Sequence, residues 1–152
     1  MILVVDVRND LIVADVLGYL LIFLFVRALA DRSFRFARWC ALIAGVASLV
    51  ARFSSAVWPS LLQALFEVIM IFCLCSGVVH LAGDNASLAR SAANARALTV
   101  VSGVLNFAYA ILFYGFTIAI PHAGVVLLAF GWSVVAIVAS VMLRAASSFP
   151  GR

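Results

Sequence analysis

The sequence predicts an all-α fold, a polytopic membrane helix bundle of five transmembrane helices with its N-terminus outside and its C-terminus cytoplasmic. Three observations carry that expectation. Of the 152 residues 67% are hydrophobic and 11% are charged, with a mean hydropathy of +1.25, which leaves too little polar surface to cover a soluble globule of this size. The apolar runs continue for roughly 18 to 25 residues instead of alternating with period two. In hydrocarbon every backbone polar group must be satisfied within the chain, so such runs read as helices. The arginines fall on alternate connections, which sets an orientation.

The net charge of +4 arises from ten arginines and no lysine. These arginines are scattered among helix ends and do not form one face interleaved with aromatics, so nucleic acid is not an expected partner. Cys40, Cys73 and Cys75 all lie inside apolar segments, where a thiol serves as a small hydrophobe. Cys73-Leu74-Cys75 has neither the spacing nor the depth of a redox pair.

Residues 1–10 place Asp6, Arg8 and Asp10 among valines and lack the basic start and small-residue cleavage site of a secretory signal. They are expected to lie at the outer interface. The first helix runs from about residue 11 to 30, with Arg27 snorkelling from its far end. Asp15 sits about one turn inside it, followed on the same face by Gly18, Tyr19 and Ile22. A carboxylate there either stays among headgroups or turns inward to a partner.

The run Asp15-Val-Leu-Gly18-Tyr19-Leu-Leu-Ile22, followed by Arg27-Ala-Leu29-Ala30 and Phe34-Arg-Phe-Ala37-Arg38, resembles a group of uncharacterised small multi-span bacterial integral membrane proteins. The resemblance covers about the first quarter of the chain, with Ala14 standing where that group is expected to carry a proline. It implies a multi-pass location in a cell membrane, the bacterial inner membrane, and no particular activity.

The link from Asp31 to Arg38 holds Arg32, Arg35 and Arg38, with Arg27 just before it and Phe34, Phe36 and Trp39 as interfacial anchors. Such a cluster marks a cytoplasmic connection. A lipid-headgroup or partner-docking site is the competing reading. The second helix, about 39–57, aligns Ala41, Gly45, Ser48, Arg52 and Ser55 on one stripe. That stripe is the expected packed face, with Leu42, Val46, Leu49 and Val50 left for lipid.

Trp58-Pro59 punctuates the next turn, and the third helix, about 60–81, opens with a polar stripe of Ser60, Gln63, Ala64 and Glu67. Arg52 and Glu67 then lie roughly 9 and 12 Å below the turn, at matching depth. An unpaired charge at such depth costs at least about 2.5 kcal/mol. The pair can lock the hairpin as an ion pair, Glu67 can act as a protonatable group in a polar path, or Arg52 can snorkel outward.

His80 ends the third helix and His122 lies in the opposite turn. With the bilayer between them they cannot share a metal ion or a haem, and no cofactor is expected. Residues 82–97 are the most polar stretch, where Asp84 is expected to cap a short extension of the fourth helix bearing Arg90 and Arg96. The fourth helix, about 98–120, aligns Thr99, Ser102, Gly103, Asn106 and Ala110. Asn106 would sit near the bilayer centre as interhelical glue, worth about 0.6 to 2 kcal/mol. After a turn at residues 121–124, the fifth helix, about 125–145, has Ala129, Ser133, Ala136 and Ser140 as its small stripe.

This reading makes residues 1–152 a single integral membrane domain. Arg27, Arg32, Arg35, Arg38, Arg90, Arg96, Arg144 and Arg152 fall on the cytoplasmic side, and Arg8 and Arg52 on the other. No nucleophile motif, phosphate-binding glycine loop or metal-binding HExxH is present, so an enzyme is not expected. The leading expectation is a non-enzymatic accessory, regulatory or scaffolding membrane component. Its partners would be the lipid bilayer and either further copies of itself or another membrane protein. The alternative is a small oligomeric proton- or cation-coupled transporter or channel, built on an intramembrane polar cluster of Glu67, Arg52, Asp15, Gln63 and Asn106.

Overall fold

A computed structural model describes residues 17–24, 26–27, 31–53, 58–116 and 121–148, and every regular element among them is a helix. Helix α1 is described over residues 17–24. It is followed by α2 (Arg32–Phe53), α3 (Trp58–Ala82), α4 (Ala86–Phe116) and α5 (Pro121–Ser148). Each of the last three packs on its predecessor, and α3 also meets α5, so α3 occupies the middle of the bundle. The segments Arg32–Ala51, Trp58–Ala82 and Ala129–Ser148 are long and apolar enough to cross a membrane.

The helices begin earlier than hydropathy predicts, because local capping and not the onset of apolar sequence sets their starts. Residues 32–38, expected as a loop, form the first two turns of α2. Asp31 is the cap: its Oδ1 accepts the Ser33 N–H at 2.7 Å and its carbonyl accepts the Arg35 N–H at 3.1 Å. The fourth helix starts at Ala86, with the expected extension before residue 98 continuous with it. Its cap is Asn85 in place of the expected Asp84, with Asn85 Oδ1 accepting the Leu88 N–H at 3.2 Å. Gly83, at φ +49°, supplies the left-handed residue that ends α3.

With 31 residues, α4 spans about 46 Å, well beyond the roughly 30 Å of a hydrocarbon core. Its first turns carry Arg90 and Arg96. Helix α5 starts at Pro121 and not at 125, because proline at the first helical position sacrifices no intrahelical bond.

The packed face of α2 is a row of small side chains, with Ala37, Ala41 and Ala44 fully buried and Cys40 and Ser48 nearly so. Leu42, Val46, Leu49 and Val50 point outward, as expected from the stripe. Close helix approach is most evident at two glycines. A Cβ on Gly77 of α3 would fall 2.6 Å from the Phe34 ring, and one on Gly103 of α4 would fall 2.7 Å from Val68. On α4, Thr99 and Ser102 are buried in the expected stripe.

Helix α5 departs from expectation. Ala129, Ser133, Ala136 and Ser140 are exposed, and the buried row is Val134, Val138, Val141 and Ala145. The latter four residues belong to the buried core cluster, where larger side chains leave fewer voids than a row of small ones. The Ser133 and Ser140 hydroxyls donate to their own helix, to the carbonyls of Ala129 and Ile137.

The turns gather charge at one end. His80 Nδ1, in the last turn of α3, lies 3.6 Å from Asp31 Oδ2 at the start of α2, and α4 begins just beyond. A Cβ on Gly131 of α5 would lie 4.0 Å from Ser102 Oγ and Asn106 Nδ2 of α4, an antiparallel register that brings Arg144 back toward the same end.

Candidate functional site

The polar centre of the bundle is built where α1, α2 and α3 meet. Gln63 and Glu67 lie one turn apart on α3, so their side chains share a face. Gln63 Nε2 donates to Glu67 Oε1 at 2.9 Å. Tyr19, from α1, completes the group: its hydroxyl donates to Glu67 Oε1 and accepts from Gln63 Nε2 at 3.1 Å. The Tyr19 ring is seated because α2 presents Gly45 there, and a Cβ at that position would lie 3.5 Å from Tyr19 Cβ. Tyr19, Gln63 and Glu67 are all half-buried.

The same face of α1 is anchored by Ile22, packed on the core, and by buried Val26, while Leu17, Leu20, Leu21 and Leu24 point outward. One helix thus offers a single hydroxyl to a carboxyl on another, with the apolar contacts of Ile22 and Val26 following it along α1.

Of the five residues expected to form one polar cluster, Gln63 and Glu67 are brought together. Asn106 belongs to a different interface. Its amide donates to the Ser102 carbonyl at 2.8 Å and to Ser102 Oγ at 3.3 Å, and it faces Gly131 of α5. Both of these bonds lie within α4 and not between helices. Asp15 and the side chain of Arg52 lie outside the described residues, as do the side chain of His122 and the N-terminal ten residues. Arg52 itself is in the final described turn of α2.

Tyr19 is the member of this hydrogen-bonded cluster that the sequence reading did not select. Its signal was present: it follows Asp15 by four positions, on the face that also carries Gly18 and Ile22. What the sequence lacks is any indication that α1 lies against Gln63 and Glu67, two helices later in the chain.

Beyond the cluster, no group of three or more side chains able to hold a metal ion occurs among the described residues. Cys40, Cys73 and Cys75 are free thiols, Cys40 and Cys75 buried. At the charged end, Asp31 has its carboxyl held below the usual range, first by the Ser33 N–H and further by the Ser33 side chain and His80, against an opposing effect of burial. The Arg38 guanidinium lies 5.1 Å from the Phe23 ring centre and 5.7 Å from that of Trp39, and Arg96 lies 5.4 Å from that of Phe72. All three are cation–π contacts that hold a charge against an apolar wall.

Compared with protein-family models, curated proteins and solved structures, the chain matches none.

Proposed function

We propose that this chain is a five-span membrane component, N-terminus outside and C-terminus cytoplasmic, that acts as a non-enzymatic accessory or scaffolding subunit. The observation that carries the proposal is the way Glu67 is held. Its Oε1 accepts from Tyr19 and Gln63, so the polar cluster ties α1 to α3. Interhelical hydrogen bonds of this kind fasten helices where lipid supplies no hydrophobic drive for association. The arginines support the orientation, since those described at one end include Arg27, Arg32, Arg35, Arg90 and Arg144, with Arg52 at the far end of α2.

A second reading is favoured by the same group. A lone glutamate within an apolar helix is also a site for a proton or small cation, and a phenol beside it can relay a proton. This reading makes the chain a small oligomeric transporter or channel. The test is proton and cation flux in proteoliposomes containing wild type or Glu67→Gln. Background flux in both supports the scaffold, whereas wild-type flux that Glu67→Gln abolishes overturns it.

A further inference from the structure

We propose that the exposed face of the first two turns of α2 is a binding site for anionic phospholipid headgroups, with Arg32 and Arg35 holding the phosphate and Phe36 and Trp39 lying in the acyl boundary beneath it. The proposal rests on the bilayer reading given above. Because these turns are helical, Arg32, Arg35, Phe36 and Trp39 fall at offsets of three, four and seven and form one ridge. All four are exposed, Phe36 and Trp39 by 58% and 54%. A ridge with cations at its tip and aromatic rings one turn deeper matches the layering of a membrane interface.

Among the described residues neither Arg32 nor Arg35 has an acidic partner. No ion pair to an arginine occurs among the described residues, and the carboxyl nearest in sequence, Asp31, is committed to the Ser33 N–H and His80. Arg38, next along the helix, lies over Phe23 and Trp39, and its Nε is buried without a hydrogen-bond partner. Arg32 and Arg35 also stand at the positive end of the helix dipole, where cations are disfavoured, and beyond the Asp31 cap the first turn of α2 has no acidic residue. An external anion held by Arg32 and Arg35 supplies the counter-charge that this end of the helix lacks. The cytoplasmic leaflet supplies one as phosphodiester headgroups, and its surface attracts juxtamembrane basic residues.

The test uses the full chain, purified and delipidated, then offered equimolar phosphatidylglycerol and phosphatidylcholine, with bound lipid counted by native mass spectrometry. Phosphatidylglycerol should be retained preferentially, and the preference should fall about fivefold for each arginine removed in Arg32→Gln and Arg35→Gln. Arg144→Gln, at the same end but off this ridge, should change it by less than about twofold. An equal loss with Arg144→Gln would mean only diffuse charge attraction and would overturn the site. So would displacement of the lipid by millimolar inorganic phosphate, which would make it a soluble-anion site.

Should the arginine variants not fold, a Trp58→Phe/Trp132→Phe background isolates Trp39. Brominated phosphatidylglycerol should then quench its fluorescence more strongly than brominated phosphatidylcholine, and equal quenching would sink the proposal. Carbonate-resistant insertion into liposomes without any lipid preference would leave the bilayer reading standing and remove only the headgroup site.

Discussion

Tyr19→Phe is the most informative perturbation of the polar cluster. It deletes one hydroxyl while keeping the ring that lies against Gly45, so packing between α1 and α2 is preserved. Glu67 Oε1 retains the Gln63 amide at 2.9 Å and is not orphaned. A hydrogen bond to a charged group contributes about 1.5 to 3 kcal/mol in a water-soluble protein. Between membrane helices the measured average is about 0.6 and the maximum about 1.7 kcal/mol, because the separated helices also find polar partners. The smaller range governs here, since Tyr19 and Glu67 are half-buried and α1 meets the bundle along one face.

Tyr19→Phe is therefore expected to cost about 0.6 to 1.7 kcal/mol. A cycle of Tyr19→Phe, Glu67→Gln and the double variant should return a coupling of the same size, because that cycle subtracts whatever else either residue touches. Reversible unfolding of the purified protein in mixed micelles, followed by tryptophan fluorescence, measures it. A coupling within about 0.3 kcal/mol of zero would show that the cluster does not fasten α1 to α3, and the scaffold reading would lose its support.

Three further outcomes follow from the packing. Gly77→Ala should destabilise by about 1 to 3 kcal/mol, since its Cβ would fall 2.6 Å from Phe34 inside a packed interface; Gly18→Ala, with nothing within 4 Å, should stabilise by up to about 1 kcal/mol. The same unfolding assay compares the two, and equal effects would refute the close approach of α2 and α3. Because the Asp31 carboxyl is held below its ordinary 3.8 in the folded chain, its stabilisation is present above that pH and lost as acidity carries the group through its lowered folded value. Asp31→Ala should cost about 0.5 to 2 kcal/mol at pH 7 through loss of the α2 cap, with the difference from wild type shrinking below about pH 4 in an acid titration followed by circular dichroism. Cys40 and Cys75, at 2% and 0% exposure, should resist maleimide labelling in the folded protein and react fully after denaturation, as mass spectrometry would read.

The environment of this chain and most of its punctuation were legible in the residues themselves. A mean hydropathy of +1.25, Pro59 near the start of α3 and Pro121 at the start of α5 act locally, through solvation and through a ring that fixes one backbone angle. The gathering of arginines at one end followed from counting alone. Helix starts were less legible, because the turns capped by Asp31 and Asn85 run through arginine-rich sequence that hydropathy reads as a loop.

What only the tertiary structure decided is which face of each helix meets which neighbour. In a water-soluble bundle the buried side is the apolar side, but lipid is as apolar as leucine and removes that contrast. The valine row of α5 and its small stripe are therefore both acceptable to a bilayer, and packing into the core cluster favours the valines. The pairing of Tyr19 with Glu67 was hidden for the same reason. It depends on α1 lying across Gly45 against α3, a contact between residues 48 positions apart that no local pattern encodes.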